Sequence, residues 1–524
     1  ITYANYNDAR NIYFNSKNHL IFSQYNGDTQ SVAKVYYEIP TSDLTNPQGG
    51  YQHGAETVAY GKLGIAYDIA LGGSTVHISE ISENSFGTND KLVLTDEQNG
   101  IPAHSTAVNF IGSNYQTGWM PGQTRLATLS DTDDTNVTDA ELVTNGTFTS
   151  DVSGWTANAS VASWSSVSGQ AVLVQDANSS SYWAWQEVTV VGGNTYRVSI
   201  DVISTTNTSY FRVGNAGEGS ATYLSVNSIG TGTTVATFTV PAGVTSVFIN
   251  VGVTISGTIV FDNVSLKEDV ADRSVQGNSL QVFGTVTKSA VATGAELMGY
   301  SGFSASNYLR QPYNSQLDFG TGDFCVMGWM TKSYNSYRCL ATLWNAAGTS
   351  GFKLQAGGDT TGIGFVPVSG SGVYISGLDA TKFSLVCFVR RSGVIYGYVN
   401  GKLQNSAANT TNISTLDGSL IIGHLANQPS VAWQGKVALF RISASVPSPE
   451  QIKKIYEDEK FLFQENAKAT LYGSSDAVTA LAYDDDTELL HAGTSAGRSV
   501  FQGLRRIDNT TDAVGAAISA SNGM

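Results

Sequence analysis

Rings and amides are the side chains in this sequence best suited to chemistry. The flat faces of Trp and Tyr stack on the apolar face of a pyranose, while Asn, Asp and Gln read its hydroxyls. Two stretches concentrate such residues. One holds Trp155, Trp164, Tyr182, Trp183 and Trp185; the other holds Trp344, Asp359, Tyr374 and Trp433. Trp183 and Trp185 share one face of a strand, being two residues apart, and Tyr182 faces the other way. A core role also suits Trp155 and one of the strand tryptophans, and Trp329, in an apolar strand, reads as core.

Constellations for catalysis are weaker. His19, His53, His77, His104, His424 and His491 are scattered singly, with no HExxH and no i, i+4 pair, so each reads as a surface or turn residue rather than a ligand. Gly493–Gly497 spells Gly-x-Ser-x-Gly around Ser495. A nucleophile elbow joins a strand to a helix, whereas both flanks here read as strands, which makes the string a Gly-bounded turn. Glycoside hydrolysis needs two carboxylates facing across a cleft, about 5–9 Å apart, and nothing singles out a pair among the 43 acids. The acidic turns Asp131–Asp134 and Asp484–Asp486 offer oxygens to Ca²⁺, though neither has the spacing of a full calcium loop. The expectation is a binding and structural protein, not an enzyme.

A β framework must position these side chains. Charged residues are 14% of the chain, against about 25% in an ordinary soluble domain. Gly is abundant at 55 residues, and Ser, Thr and Asn fill much of the polar surface. Hydroxyls and amides satisfy turn backbone locally and Gly supplies positive φ, as many short strands require. The 524 residues exceed one core and predict three or four domains. A net charge of −15 repels polyanions, so nucleic-acid binding is disfavoured and solubility is the plainer reading. Cys325, Cys339 and Cys387 form an odd set that gives no disulfide framework, and they read as buried small hydrophobes. No apolar run approaches the ~20 residues that cross a bilayer. The opening ITYANYNDAR lacks both Met and a signal-peptide pattern, as expected of a processed product or the ordered part of something longer.

The two ends of the chain resemble each other. Residues 477–507 read as strand, acidic turn, strand, Gly turn and strand, and 63–81 repeat strand, Gly turn and strand. Further copies fit 107–130 and 11–40. Three- or four-stranded units at a period of about 40 to 50 residues are the pattern of propeller blades. The segments resemble blades of viral-tail and bacterial-sensor propellers, and an irregular β-sandwich is the alternative. On this reading 1–135 and 462–524 form a propeller-like base of four or five blades, and the middle is inserted between them.

The first insertion, 139–268, carries Asn145–Gly146–Thr147–Phe148, Gly154–Trp155, the Gly193–Tyr196 turn into an alternating strand, and the closing Phe261–Leu266. It resembles the jelly-roll carbohydrate-binding modules of secreted glycosidases. In that family a structural Ca²⁺ often ties the first strand to the last, which would bring Asp262 near Asn145. The second insertion, 280–461, carries Leu317–Gly320, Asp323–Phe324, Gly328–Trp329, a hairpin turning at Asn400–Gly401, and Trp433–Gly435 leading into Phe440–Ile442. Ser448 and Pro449 then open a helix over 448–461. This segment resembles a concanavalin-A-like, laminin-G-type lectin sandwich, and its wording SNYLRQPYNSQLDFGTGDFCVMGW is similar to virion proteins of bacteriophages.

These resemblances imply an all-β bacteriophage tail or virion-surface protein, acting as fibre, hub or nozzle component. Its partners would be other virion proteins and host-surface glycans, its state a homo-oligomer, with no membrane insertion. They imply sugar-binding positions at Trp164, Tyr182, Trp183, Trp185, Trp344, Asp359, Tyr374 and Trp433. A secreted bacterial glycan-binding protein, or the accessory part of a polysaccharide-degrading enzyme, is the alternative.

Overall fold

Alternation writes the first sandwich directly. Along Thr195–Thr205, Tyr196, Val198, Ile200 and Val202 are buried while Arg197, Ser199 and Asp201 stay partly exposed, the period of two that puts one strand face inward. The computed structural model describes residues 123–513, short loop stretches excepted, and strand backbone between 9 and 121. The fold is all-β; the one α-helix among the described residues is Pro449–Glu459.

Two antiparallel sheets build the first sandwich. One has the order Thr156–Ala157, Ser181–Thr189, Ser246–Thr254, Ser209–Gly214, Leu224–Asn227. The other sets Ser163–Val167 and Gln170–Val174 on one side of the long strand Thr258–Val270, with Thr195–Thr205 and Gly232–Thr239 on its other side. Both sheets feed a single core that includes Phe148, Phe211, Val251, Phe261 and Leu266. Truncating any of those buried rings to Ala costs about 3–5 kcal/mol.

Thr258–Val270 does not stop at the edge of this sandwich. Its last residues pair with the next strand, Leu280–Phe283, through Asp269↔Gln281 and Val270↔Leu280. The same sheet then runs on through Tyr308–Gln311, Ser419–Ile422, Arg338–Trp344, Gly351–Ala356, Ile363–Pro367 and Val373–Ile375 in the second sandwich. The turn between the two paired strands is pinned. Asp272 accepts hydrogen bonds from the backbone N–H groups of Ala127, Ser274 and Asn278, each at 2.9 Å.

The opposing sheet of the second sandwich centres on Val437–Ser443, flanked by Phe324–Met330 and continuing through Ser384–Arg391, Val394–Val399 and Lys402–Ala408. On its other flank lie Met298–Ser301 and, unexpectedly, Thr124–Thr128. The segment assigned from sequence to the propeller-like 1–135 thus enters the lectin-like sandwich, where Leu126, Leu129 and Val137 join the core. Its apolar positions were available to whichever sheet offered an unpaired edge. The acidic turn that follows is also spoken for: Asp131 and Asp133 hold the Lys288 ammonium at 2.8 and 3.0 Å.

The helix forms where expected. Ser448 accepts from Gln451 N–H and the Gln451 side chain accepts from Ser448 N–H, a reciprocal cap, with Pro449 in the first turn. Its buried face, Ile452 and Ile455, packs with Trp329, Met327 and Cys387 on the outside of the second sheet. Beneath it the Arg441 guanidinium meets the Glu459 carboxylate at 2.5 and 2.9 Å, and the Trp329 indole N–H donates to the same carboxylate. All three cysteines are free and buried.

Beyond the helix, Val478–Asp484, Leu489–Thr494, Gly497–Gln502 and Arg505–Thr510 form an antiparallel four-stranded meander. Ser495 lies in the two-residue turn between the second and third of these strands. Leu490, Phe501 and Leu504 pack into the cluster under the helix. Ala9–Phe14, His19–Tyr25, Lys34–Pro40 and Tyr51–Gln52 make a second four-stranded meander. The sheet from Ile65–Asp68 to Trp119–Pro121 departs from a blade, because Val76–Ser79 and Lys91–Asp96 run parallel.

Candidate functional site

Lys353 and Gln355 alternate with the core residues Phe352, Leu354 and Ala356, so both stand on the outer face of the continuous sheet, Lys353 partly exposed and Gln355 covered. Strand pairing sets Tyr374 beside them, since Gly364 faces Gln355 on one side and Tyr374 on the other. The Lys353 ammonium donates to the Tyr337 hydroxyl at 3.3 Å, that hydroxyl donates to Gln355 Oε1 at 2.8 Å, and Gln355 Nε2 donates to the Tyr374 hydroxyl at 2.7 Å. Burial pushes the Tyr337 hydroxyl up to about 12, with Cys339 and Tyr374 adding to the shift, so it remains a donor at neutral pH. The same ammonium lies 5.6 Å from the Trp344 ring centroid, within cation–π range. The Trp344 indole N–H has no protein partner. Tyr374 is 41% exposed.

The platform therefore offers one open aromatic face, an ammonium and an ordered row of hydroxyl and amide groups. That inventory suits a sugar: the ring takes the C–H face of a pyranose and the polar row takes its hydroxyls. Trp344 and Tyr374 were expected as site residues, and the structure brings both to this face. Tyr337, Lys353 and Gln355 were missed, although the alternation of Lys and Gln with apolar residues in GFKLQA marks them as outward-facing. Asp359 lies outside the described residues.

The aromatic group in the first sandwich is arranged differently. Trp183 and Trp185 do share the outer face of their sheet, opposite Gly252 and Asn250. Tyr210 and Arg212 pair with those same two residues from the other side. The Arg212 guanidinium sits 4.8 Å from the Trp183 ring and 4.7 Å from the Tyr210 ring, and donates to Asn227 at 3.0 Å. The segment 215–222 folds down over this face. Buried Asn250 holds it, accepting from Gly219 N–H at 3.0 Å and donating to the carbonyls of Ala216 and Ser220. Only Gly fits there: a Cβ on Gly219 would stand 2.2 Å from the Trp183 indole, and one on Gly217 2.5 Å from Trp185. Trp183 is left 6% exposed.

Several expected positions are therefore covered. Tyr182 and Trp183 are buried, and Trp185 and Trp164 are partly so, Trp164 stacking on the core ring Phe261 at 5.9 Å. Trp433 is a core residue of the second sandwich, 2% exposed, in the same cluster as Phe303 and Ala432. His424, expected at the surface, is buried edge-on against Tyr308.

The backbone beside Asn145 meets the last strand near Asp262, the Gly146 carbonyl accepting from Val264 N–H at 2.9 Å. The Asn145 amide donates to the carbonyls of Asp151 and Ser153, both at 3.0 Å, and the Asp262 carboxylate caps the N–H of Asn263. First and last segments are further joined by Leu142 N–H, which donates to the Leu266 carbonyl at 3.0 Å, and by Glu141, which accepts from Leu266 N–H at 2.8 Å and the Ser265 hydroxyl at 2.6 Å. Among the described residues no group of three or more His, Cys, Asp or Glu is arranged to hold a metal.

Comparison with known proteins agrees on the second sandwich. Residues 303–453 match the family described as the concanavalin A-like lectin/glucanases superfamily, so this part of the chain is a concanavalin A-like domain. A search of curated proteins returns no match. Among solved structures, the receptor-binding domain of the botulinum neurotoxin C/D mosaic serotype aligns with 44% of this chain and 59% of its own, at 15% identity and TM-score 0.32. The binding domain of Paraclostridial Mosquitocidal Protein 1 aligns with 44% of this chain and 62% of its own, at 12% identity and TM-score 0.31. The chain spans less than two thirds of either structure.

Proposed function

We propose that this chain is a bacteriophage tail or virion-surface protein that binds rather than catalyses, and that its concanavalin A-like sandwich adheres to host-surface glycans. The observation that carries the adhesion reading is the exposed Tyr374 at the end of the hydrogen-bonded Gln355–Tyr337–Lys353 row beside Trp344. The virion reading is supported by the sequence over 306–329, which resembles phage virion proteins, and by cysteines that need no oxidising compartment. The four-stranded meanders at the two chain ends support a propeller-like base that contacts the particle. Weak single sites then suffice, since many copies on one particle multiply affinity.

Glycan-array binding of the intact chain tests adhesion. The expected result is signal on a restricted set of sugars, reduced about 5- to 30-fold by Tyr374→Ala; a folded chain that binds nothing, or binds equally with Ala at 374, overturns it. Electron microscopy of native material tests location: a ring or collar on a tail supports the virion reading, and a free secreted monomer replaces it with a secreted glycan-binding protein.

A further inference from the structure

A cleft opens elsewhere in the same sandwich. It occupies about 370 Å³ between Met298–Ser301 and the starts of Ser384–Arg391 and Val437–Ser443, with Phe303, Phe383, Thr331, Trp433, Gly435 and Lys436 in its wall. This volume falls in the range of small-ligand sites, which begins at about 300 Å³.

Three features of the wall point to a ligand. First, the indole N–H of Trp433, a residue only 2% exposed, has no acceptor in the protein. A buried donor left unpaired costs about 1–3 kcal/mol, so such groups are rare without a reason. A Cβ on Gly435 would stand 2.1 Å from the Thr331 carbonyl and 3.0 Å from that nitrogen, so glycine here lets the strand pass close to the indole edge in the cleft wall. Second, the Lys436 ammonium has a single long contact, 3.3 Å to the carbonyl of Ala290. Third, no Asp or Glu lines the cleft. The Thr331 hydroxyl accepts from Lys436 N–H at 2.9 Å, which leaves its own proton free to donate. The wall is thus rich in donors, positively charged and flanked by two phenyl rings.

We infer that this cleft binds an acidic sugar residue, its carboxylate on Lys436 and the Trp433 N–H and its ring face against Phe303 and Phe383. The choice of a sugar rests on the adhesion reading above; the demand for an anionic, acceptor-rich ligand rests on the cleft alone. Anion and ammonium meet here with partial shielding from water, which strengthens the pairing over that of a surface ion pair.

Titration calorimetry on the intact chain tests this, using glucuronate oligosaccharides against the matched neutral glucose oligosaccharides. The expected result is binding of the acidic series at least about tenfold tighter than the neutral one, weakened as salt rises. Lys436→Met should reduce it about tenfold or more, and Trp433→Phe about three- to tenfold. Equal affinity for acidic and neutral sugars, or full binding by Lys436→Met, overturns the inference. Should Trp433→Phe melt early, Lys436→Met and the paired sugars still decide it. Loss through Tyr374→Ala alone would place the binding on the platform, sparing the adhesion reading while removing the cleft.

Discussion

The outer faces of the two sandwiches carry similar side chains and have opposite fates. In the first, Trp183, Trp185, Tyr210, Arg212 and Asn250 form an aromatic and polar array, but segment 215–222 lies over it and Asn250 fastens that segment in place. In the second, Trp344, Lys353, Gln355 and Tyr374 form a comparable array in which the described residues leave Tyr374 41% exposed. The difference teaches that residue type and strand face select the members of a site, while availability is decided by the loop above it.

The largest way to disturb this contrast is to remove one side of it. The Arg441–Glu459 pair is buried, and the Trp329 N–H also depends on Glu459. Breaking a buried pair by removing one partner costs about 3–5 kcal/mol. Arg441→Met should therefore lower the thermal midpoint of the second sandwich sharply, followed by calorimetry, while the first keeps its own transition. A single unshifted transition would show the pair to be dispensable.

Gly219→Ala attacks the cover in the first sandwich. The residue has φ +89° and no room for a methyl group beside Trp183, so the segment must lift at a cost of roughly 1–3 kcal/mol. Trp183 fluorescence should shift to the red and become accessible to iodide. Unchanged quenching would mean that the segment does not shield the ring.

A pH effect comes from the junction between the two sandwiches. Burial raises Glu268 to about 7, with Asp131 and Asp133 adding and Lys288 opposing. Burial likewise raises Asp269 to about 6 against the pull of Arg197. The folded state thus keeps protons that the unfolded chain releases near pH ~4. The stability this gives is complete below that pH and is lost as pH rises through about 6 and 7. Asp131 runs the other way: burial would raise it, yet Arg273 and Lys288 outweigh burial and hold it low, so its contribution is lost on acidification below the usual aspartate range. Glu268→Gln should flatten the upper part of the profile in urea unfolding followed from pH 4 to 8; an identical slope in the variant would exclude Glu268 as its source.

The smallest expected change in stability is at the open platform. Tyr374→Ala removes an exposed ring and should alter unfolding free energy by no more than about 0.5 kcal/mol. A much larger loss in a denaturant titration would make the ring a structural member and weaken the contrast.

What the sequence discloses here is local. Alternation in Thr195–Thr205, the reciprocal cap at Ser448, and the hairpin at Asn400–Gly401, where both residues take the positive φ its turn requires (51° and 74°), were all readable from neighbours in the chain. The members of the platform come from three separate strand regions, and period two says which side chains share a face without saying which face stays bare. Trp183 looked like a binding residue because nothing near it in sequence announces that 215–222 will cover it. Thr124–Thr128 looked like part of a terminal repeat because its partner, Val437–Ser443, lies some three hundred positions away. Pairing at that separation is set by which edge is vacant in the folded sheet, and no local pattern records it.

The strand Thr258–Val270 has a mechanical consequence. Because its end is hydrogen-bonded to Leu280–Phe283, and Asp272 clamps the intervening turn to Ala127, no swivel separates the two sandwiches. A tug on one is carried into the other as shear along a shared ladder, so the pair behaves as a rigid arm of fixed length and not as two beads on a string.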